Sequence, residues 1–273
     1  MTQIFEKFSL NGRVALVTGG AGLLGREFCL TLAQAGAEVY AADLNFEAAD
    51  QVAKQIAEQG FSARGIALDI TDPASVAAAV DEIVKRSGHI DILVNSAAMD
   101  PKFDPQHATS NSNAFETYPL GSWQDALNVN LTGPFLVSQA VARQMVTQKK
   151  GSIINICSTY GLGGPDQRIY EKPGKPRVFK PVYYTVTKAG ILGLTKDMAT
   201  YYAGSEIRVN ALTPGGVFNG HDDEFVTNYS ARTVIGRMAH KDEMNGALLF
   251  LASDASSYMT GGNVVVDGGW TAW

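Results

Sequence analysis

The chain has 273 residues, enough for one large domain or two small ones, and 45 % of them are hydrophobic against 18 % charged, which is typical of a globular protein. The formal net charge of −5 argues against a general polyanion-binding protein, and no basic stripe with interleaved aromatic residues indicates a nucleic-acid partner. The N-terminal residues lack the apolar core of a signal peptide, and no window is long enough to span a membrane. We therefore expect a cytoplasmic protein without membrane partners.

Neither cysteine nor histidine usage indicates a metal centre. Cys29 and Cys157 lie in apolar segments, where we interpret them as small buried side chains. The four histidines are scattered along the chain, and no group of Cys and His has metal-ligand spacing. The sequence therefore predicts no metal site.

Short apolar runs alternate with helix-length segments along the chain. The runs are rich in Val and Ile and apolar on both faces, as in the central strands of a parallel sheet: 13–19, 38–44, 63–70, 91–97, 152–158, 207–214 and 262–269. Helix patterns at 25–35, 46–58 and 72–87 are each followed by glycine. We predict an α/β fold, a doubly wound parallel sheet of about seven strands with helices on both faces, forming a single domain over 1–273.

The stretch VTGGAGLLGRE at 17–27 joins the first predicted strand to the first helix. Gly19, Gly22 and Gly25 allow the backbone to turn tightly and to approach a pyrophosphate, whose charge the helix N-terminus favours. Ordinary turns also use glycine, but the position between a strand and a helix predicts the dinucleotide-binding turn of a Rossmann fold.

The second apolar run ends at Asp43, 18 residues after Gly25. A carboxylate there can accept hydrogen bonds from the ribose hydroxyls of NAD and would repel the 2′-phosphate of NADP. Because no Arg closely follows Asp43, the sequence favours NAD. Asp43 could also cap the following helix.

Two later strand ends carry residues suited to the rest of a dinucleotide. The third run ends in Asp69 and Ile70, and the fourth ends in the small residues of NSAA, from Asn95 through Ala97 to Ala98. Small side chains at a strand terminus leave room for a flat ring and a ribose.

A serine, a tyrosine and a lysine follow in an order that suggests proton transfer. Ser158 ends the fifth run, and the spacing of Tyr184 and Lys188 puts them on one helix face, one turn apart. A nearby ammonium lowers the pKa of a phenol, so Tyr184 could take a proton from an alcohol while Ser158 bonds the same oxygen. A Tyr four residues before a Lys is common by chance, so the combination with the loop, Asp43 and Ser158 is what indicates function.

This order of motifs resembles the classical short-chain dehydrogenase/reductase family over nearly the whole chain. The matching positions are Gly19, Gly22, Gly25, Asn95, Asn130 in NVNLTG, Ser158, Tyr184, Lys188, Pro214-Gly215 and Asp267-Gly268-Gly269. The resemblance implies that Asn130 holds a water for proton relay and that Lys188 also binds the nicotinamide ribose. It further implies a homotetramer or homodimer. The C-terminal GGWTAW, with Trp270 and Trp273, suits either an interface or closure over a neighbour's site.

Together these arguments predict three sets of site residues. The catalytic residues are predicted to be Asn130, Ser158, Tyr184 and Lys188. The cofactor-binding residues are predicted to be Gly19, Gly22, Leu23, Leu24, Gly25, Asp43, Leu44, Asp69, Ile70, Asn95, Ala97, Tyr184, Lys188, Pro214, Gly215 and Val217. The substrate-binding residues are predicted to be Ser158, Arg168, Arg177, Gly216 and Asn219.

Two positions depart from the family pattern. Leu23 stands where the loop commonly has glycine, a spacing that resembles the extended branch of the family, and Ala98 stands where glycine often follows NSA. We interpret both as local variants that leave the binding position of the cofactor unchanged.

Insertions near 99–122 and 160–182 and a lid near 217–234 are expected to contact the substrate. The second insertion carries an excess of basic residues beside the reactive groups: Arg168, Lys172, Lys175, Arg177 and Lys180 against Asp166 and Glu171. These side chains either bind an anionic substrate group or form a solvated surface loop. In the lid, the polar residues Asn219, His221 and Asp222 are further candidates.

The stretches TGGAGLLG, PDQRIYE and PGGVFN are similar to a bacterial subgroup associated with sugar modification and surface-glycan biosynthesis. This implies an NAD-dependent oxidoreductase that transfers a hydride between the cofactor and a secondary alcohol or ketone of a sugar or sugar derivative, anionic ones included. One alternative is a reductase of 3-oxoacyl thioesters or other ketones. The other is a catalytically inactive dinucleotide-binding sensor or scaffold.

Overall fold

The computed structural model describes residues 3–100, 113–172 and 174–273. Its core is one sheet of seven parallel strands in the order β3-β2-β1-β4-β5-β6-β7. The strands are β1 (Val14–Thr18), β2 (Glu38–Asp43), β3 (Ala63–Ala67), β4 (Ile92–Asn95), β5 (Lys150–Ile156), β6 (Glu206–Pro214) and β7 (Asn263–Val266). The predicted seven-stranded parallel sheet is therefore confirmed.

Eight α-helices connect the strands within the described residues. They are α1 (Leu23–Gln34), α2 (Phe46–Glu58), α3 (Pro73–Ser87), α4 (Leu120–Leu127), α5 (Gly133–Gln148), α6 (Val182–Tyr201), α7 (Asp223–Ser230) and α8 (Asn245–Ala252). A π-helical turn, Asn128–Thr132, joins α4 to α5. Single 3-10 turns occur at Ile4–Phe8, Phe115–Thr117, Thr159–Gly161, Gln167–Tyr170 and Asp254–Ser256.

Local sequence signals explain several helix ends. Asp72 caps α3 by accepting a hydrogen bond from the Ala74 amide, and Gly88 ends the helix with a φ of 85°, a left-handed conformation that favours glycine. Asn45 caps α2 through a bond from the Ala48 amide. Asp43 is thus not the cap of α2, and that alternative interpretation of Asp43 is wrong.

Apolar side chains cover both faces of the sheet. Along β1, Ala15 and Val17 pack into one buried cluster with α1 and α8, whereas Val14 and Leu16 pack into another with α3 and α5. The side chains of successive strand residues point to opposite faces, so a strand covered on both sides must be apolar throughout. All five residues of β1 are buried, as this arrangement requires.

The strand order creates the crevice in which a site can form. The chain runs outward from β1 to β3 and then returns to β4 on the other side of β1. The connections from β1 and β4 therefore leave in opposite directions, which opens a crevice at the carboxyl ends of the strands. Thr18, Asp43, Asn95 and Ile156 are the last residues of strands that end at this edge.

Candidate active site

The glycine-rich loop between β1 and α1 has almost no room for side chains. Gly19 has a φ of 64°, and a Cβ there would lie 2.7 Å from the Ala97 Cα. A Cβ on Gly25 would collide with the carbonyl oxygen of Gly19. Both glycines are therefore required by the close approach of backbone segments.

Gly22 differs from these two because it faces outward. It is exposed, and a Cβ on it would meet only the Gly19 carbonyl oxygen, at 3.1 Å. It is also the N-cap of α1, where no side chain satisfies the first amides of the helix. The first N–H groups of α1 have no side-chain partner, and free N–H groups at a helix N-terminus bind a pyrophosphate. The loop therefore fits a dinucleotide. Leu23 and Leu24 follow in the first turn of α1.

The loop is also tied to the end of β2. Asp43 Oδ2 accepts a hydrogen bond from the Ala21 amide at 3.2 Å, and Oδ1 accepts one from the Asn45 amide at 3.1 Å. The carboxylate thus stands beside the loop, and its predicted contact with a ribose stays a prediction. Leu44, the next residue, is exposed.

Arg26 is a cation that contacts the glycine-rich loop and was not predicted from the sequence. Its guanidinium donates to the carbonyl oxygens of Ala21 at 2.7 Å and Gly22 at 3.3 Å. The preference for NAD was predicted from the residues after Asp43, whereas Arg26 reaches the same loop from within α1.

The predicted residues at the ends of β3 and β4 serve mainly to shape the crevice. Asp69 accepts two hydrogen bonds from Thr71, at 2.8 Å and 2.6 Å, and Ile70 is buried. Asn95 is buried and donates to Ser138 Oγ and Asn155 Oδ1, both at 2.8 Å.

The end of β4 is also joined to β1. The Ser96 and Ala97 amides both donate to Thr18 Oγ1 at 3.1 Å. This joins the two strands at the crevice, beside Gly19.

The Ser, Tyr and Lys predicted from the sequence do come together. Lys188 lies one turn after Tyr184 in α6, and its Nζ is 5.8 Å from the Tyr184 ring centroid. Nζ also donates to the Ile156 carbonyl oxygen at 2.9 Å, at the end of β5. Ser158 lies two residues beyond that strand end, where its Oγ accepts a hydrogen bond from the Tyr160 amide at 3.2 Å, and its hydroxyl acts to lower the pKa of Tyr184.

The electrostatics of Tyr184 differ from the expectation. Burial raises the pKa of the Tyr184 phenol, the carboxylate of Asp100 raises it further, and the hydrogen bond with Ser158 opposes them. The sequence analysis expected a lowered pKa because of Lys188. Instead, desolvation of the phenolate is the largest effect on Tyr184, and burial also lowers the pKa of Lys188.

Asn130 lies in the π-helical turn between α4 and α5, a local irregularity that often marks a functional site. Its Oδ1 accepts from the Met99 amide at 2.6 Å, and its Nδ2 donates to the Met99 carbonyl oxygen at 2.9 Å. Nδ2 also lies 3.5 Å from Thr187 Oγ1, which donates to the Tyr184 carbonyl oxygen. Asn130 therefore links the segment after β4 to the first turn of α6. Its role in holding a relay water stays a prediction.

The turn after β6 is held against a buried tyrosine. The Gly216 amide donates to the Tyr229 hydroxyl at 2.5 Å, and a Cβ on Gly216 would collide with the Tyr229 ring. Gly215 donates from its amide to the Val266 carbonyl oxygen, following Pro214 at the end of β6. Val217 forms a bridge with Ala239.

The insertion at 160–182 and the lid at 217–234 share a small apolar cluster. This satellite cluster consists of Ile169, Tyr229 and Met238, with Tyr170, Phe225, Val226 and Trp270 packed against it. Trp270 stacks on Tyr229 with ring centroids 4.3 Å apart, and Trp273 Nε1 donates to the Arg232 carbonyl oxygen. The C-terminal residues therefore close over the lid of their own chain. The predicted lid itself contains α7, capped by Asp222.

Ion pairs link the same segments. Lys172 pairs with Asp222 of the lid at 2.7 Å, and Arg232 pairs with Asp166 at 2.7 Å. Arg168 also pairs with Asp166, at 2.8 Å, and the hydrogen bond from Arg168 is the main cause of the lowered pKa of Asp166.

The side chains of the two predicted substrate-binding arginines are largely exposed. Arg168 is 68 % exposed, and Arg177, which pairs with Glu171 at 2.9 Å, is 55 % exposed. Asn219 donates from its amide to His221 Nδ1 within the lid. The roles of Arg168, Arg177 and Asn219 stay predictions.

Lys180 is the cation of the insertion that lies against Tyr184. Its Nζ is 4.1 Å from the Tyr184 ring centroid and pairs with Asp100 at 2.5 Å. The sequence analysis counted Lys180 among the basic residues but did not single it out. Its position four residues before Tyr184 was the available signal.

The described parts of the chain contain neither a membrane-spanning helix nor a metal-binding cluster. None of the described helices is long and apolar enough to cross a membrane. No group of three or more His, Cys, Asp or Glu side chains in 3–100, 113–172 and 174–273 could hold a metal ion.

The parallel sheet, the glycine-rich turn and the Ser158, Tyr184 and Lys188 cluster define an oxidoreductase of the dinucleotide-binding class. A family model described as enoyl-(acyl carrier protein) reductase matches residues 20–271. The chain belongs to the short-chain dehydrogenase/reductase family, and it is an enzyme that acts on CH–OH groups.

Similar proteins act on chemically different alcohols. D-threitol dehydrogenase of Mycolicibacterium smegmatis is 36 % identical over 97 % of this chain and 95 % of its own length. A 3-alpha-(or 20-beta)-hydroxysteroid dehydrogenase of Mycobacterium bovis is 38 % identical over 96 % of this chain and 91 % of its own. The crystal structure of a gluconate 5-dehydrogenase from Burkholderia cenocepacia, in complex with NADP and tartrate, has a TM-score of 0.84 and 34 % identity, covering 99 % of this chain and all of that one.

Proposed function

We propose that this enzyme uses NAD to oxidise a secondary alcohol of a sugar or sugar derivative, or to reduce the corresponding ketone. The observation that carries the proposal is the contact of Tyr184 with Ser158, one helical turn from the buried ammonium of Lys188. A phenol, a hydroxyl and an ammonium so arranged can accept a proton from an alcohol and bind its oxygen.

The proton chemistry follows from three side chains. Tyr184 Oη takes the proton of the substrate hydroxyl, and Ser158 donates a hydrogen bond to the same oxygen. The Lys188 ammonium is 5 % exposed, is held by Ile156 and lies 5.8 Å from the Tyr184 ring centroid, so its attraction for the phenolate acts against the desolvation that raises the pKa of Tyr184. In the reverse direction Tyr184 returns the proton to the ketone oxygen.

The bound nicotinamide supplies the hydride acceptor for this reaction. The loop from Gly19 to Gly25 would hold the pyrophosphate, Asp43 would accept hydrogen bonds from the adenosine ribose, and Lys188 would bind the nicotinamide ribose. Asp43 supports NAD, since its carboxylate would repel a 2′-phosphate. Arg26, a cation of α1 whose guanidinium donates to the same loop, is the feature that favours NADP.

Polar groups at the mouth of the site support a hydroxylated substrate. The ion pairs Lys180–Asp100 and Lys172–Asp222 lie in segments that follow the carboxyl ends of the strands. Threitol, the substrate named for one relative, and gluconate, named for another, are polyhydroxylated. Anionic sugar derivatives are included in the proposal because the insertion is basic.

A second candidate is a larger apolar ketone, such as a steroid or a 3-oxoacyl thioester. Exposed apolar side chains in the insertion, the lid and its C-terminal flank favour it, namely Leu162, Phe218, Val234 and Ile235. The similarity to a hydroxysteroid dehydrogenase is a further argument for this candidate.

We also infer a homotetramer or homodimer that works in the cytoplasm. Four apolar side chains on α5, α6 and β7 are exposed by two-fifths or more: Phe135, Val146, Val186 and Val265. Exposed apolar patches of this kind commonly lie in interfaces. Light scattering after size-exclusion chromatography would test this inference, which a monomeric mass would overturn.

The experiment that tests the function follows the absorbance of reduced cofactor. Purified enzyme is given NAD or NADP with short polyols, neutral sugars, sugar acids, phosphorylated sugars and nucleotide sugars. Hydroxysteroids are included, and 3-oxoacyl thioesters are offered with reduced cofactor. Turnover of polyols or sugar acids with NAD supports the proposal, whereas turnover of steroids or thioesters alone supports the second candidate.

Tyr184→Phe is the control for this assay. Activity that survives the loss of the phenolic hydroxyl would come from a contaminant, and absence of turnover with every substrate would favour a non-catalytic scaffold. Tyr183→Phe removes the neighbouring hydroxyl and is the matched control.

A further inference from the structure

Tyr184 lies beside a second ammonium besides that of Lys188. Lys180 Nζ is 4.1 Å from the Tyr184 ring centroid, closer than Lys188 Nζ at 5.8 Å. The Lys180 side chain is only 15 % exposed. A cation this close to the reactive ring and this poorly hydrated requires a counter-ion.

The backbone at Lys180 is fixed on both sides. Its amide donates to Gln167 Oε1 at 2.9 Å, and Pro181 follows as the N-cap of α6. The ammonium therefore extends from an anchored Cα toward the ring of Tyr184. This is the kind of positioning that a binding group needs.

The counter-ion of Lys180 among the described residues is exposed. Asp100 Oδ1 lies 2.5 Å from Lys180 Nζ, but the Asp100 side chain is 48 % exposed. A half-exposed carboxylate returns to water at small cost, because about half of its surface is already hydrated. A substrate carboxylate that takes its place leaves the net charge around Lys180 unchanged.

The other basic residues of the insertion are less suited to this role. Arg168 and Arg177 are more than half exposed and pair with Asp166 and Glu171 of the same insertion. Their charges are therefore hydrated and neutralised locally.

We propose that Lys180 binds the carboxylate of an anionic substrate and that Asp100 is the counter-ion it releases. The inference rests on the proposed function and narrows its substrate class to small hydroxy acids, such as sugar acids. The acid must be small because Lys180 contacts the same ring that carries the reactive hydroxyl. The carboxylate and the oxidised carbon are then only a few bonds apart.

The kinetic test compares an acid and a neutral alcohol of equal length, threonate and threitol, in the presence of NAD. Lys180→Met should raise KM for threonate by about tenfold to a hundredfold, because a charge-assisted hydrogen bond is lost, and should change KM for threitol by no more than about twofold. Asp100→Asn should lower KM for threonate relative to KM for threitol. Lys180→Arg keeps the charge and should restore most of the affinity for threonate.

Lys196→Met, which removes an exposed cation of α6, is the matched control and should leave KM for threonate within about twofold of the wild-type value. Arg168→Gln and Arg177→Gln test the alternative in which the arginines of the insertion bind the substrate anion. Equal changes for acid and alcohol in Lys180→Met would assign Lys180 a purely structural role. An effect of Arg168→Gln as large as that of Lys180→Met would also overturn the proposal.

A binding measurement separates this inference from the proposed function. Calorimetric titration of threonate into the NAD-loaded enzyme should detect binding to the wild type and to Tyr184→Phe, but not to Lys180→Met. This pattern would support the Lys180 site even if threonate is not turned over, in which case only the proposed reaction fails. Absence of threonate binding to the wild type, or equal binding to Lys180→Met, would overturn the site while leaving the oxidation of neutral alcohols untouched.

Discussion

The Lys188 ammonium donates a hydrogen bond to the carbonyl oxygen of Ile156, 2.9 Å away, although 32 positions separate the two residues. Ile156 is the last residue of β5, and Ser158 follows it within two residues. One bond thus fixes the helix that carries Tyr184 and Lys188 against the strand that leads to Ser158. The relative positions of the three reactive side chains are therefore set by the central sheet and not by the surrounding loops.

Loss of the phenolic hydroxyl should lower kcat at Tyr184 but not at the neighbouring Tyr183. Tyr184→Phe should lower kcat by about 10²- to 10⁴-fold, the usual contribution of a general base, and leave the Kd for NAD nearly unchanged. The Tyr183 hydroxyl is buried and has no hydrogen-bond partner among the described residues. Tyr183→Phe should therefore keep kcat and leave Tm unchanged or raised, because it removes an unsatisfied polar group. Equal losses of kcat in the two variants would contradict the assignment of Tyr184.

The pH dependence of alcohol oxidation should report the charge of Asp100. This carboxylate raises the pKa of Tyr184, so Asp100→Asn lowers that pKa and increases the phenolate fraction near neutral pH. Since the phenolate is the base, the acid limb of kcat against pH should move to lower pH in Asp100→Asn. Threitol is the substrate for this measurement because it carries no charge of its own.

The matched control for this pH profile is Asp81→Asn, which removes an exposed carboxylate on α3. Its profile should coincide with that of the wild type. A shift of the acid limb to higher pH in Asp100→Asn would show that the carboxylate is not the source of the raised pKa.

Cofactor selectivity should depend on Asp43. Asp43→Asn removes the negative charge that opposes a 2′-phosphate but retains an oxygen that can accept from the Ala21 amide. We expect the ratio of NADP affinity to NAD affinity to rise about tenfold or more, as removal of one close like charge predicts. Fluorescence titration with both cofactors measures this ratio. Asp72→Asn, at the cap of α3, should leave it unchanged.

Gly216 should tolerate no side chain. In Gly216→Ala the new Cβ meets the Tyr229 ring, so α7 or the turn after β6 must move. We expect a loss of about 1–3 kcal/mol in the free energy of unfolding, typical of overpacking, together with a raised KM. Urea denaturation and steady-state kinetics measure the two effects.

Gly246→Ala offers the comparison for Gly216→Ala. Gly246 lies in α8, is exposed, and has open space around its Cβ position. This substitution should stabilise the protein by roughly 0.5–1 kcal/mol, because alanine favours helix over glycine. A Gly216→Ala enzyme as stable as Gly246→Ala would mean that the Tyr229 contact is easily relieved.

Periodicity predicted the sheet well because strands covered on both faces must be apolar throughout. The errors lay at the ends of strands and helices, where capping interactions set the last residue of the element. The third strand was predicted over 63–70 but ends at Ala67, and the helix predicted to begin at Gly25 begins at Leu23, with Gly22 as its cap. Helix α7 in the lid was also missed, although Asp222 followed by Asp223 and Glu224 is a recognisable helix start.

The grouping of Ser158, Tyr184 and Lys188 was predictable because helical spacing and strand ends locate them without knowledge of tertiary contacts. Their environment was not predictable. The Lys180–Asp100 pair joins residues 80 positions apart, and the raised pKa of Tyr184 arises from burial. Part of the predicted insertion at 99–122, residues 101–112, lies outside the described residues.

The satellite cluster around Tyr229 is separate from the two apolar clusters on the faces of the sheet. The insertion and the lid thus have a small core of their own, reinforced by the pairs Lys172–Asp222 and Arg232–Asp166. Structural units with few buried contacts open at lower free energy than the global fold. We therefore expect the insertion and the lid to open and re-form as a cooperative unit while the sheet remains folded. Mutations in this unit would then change the substrate specificity without lowering the stability of the sheet.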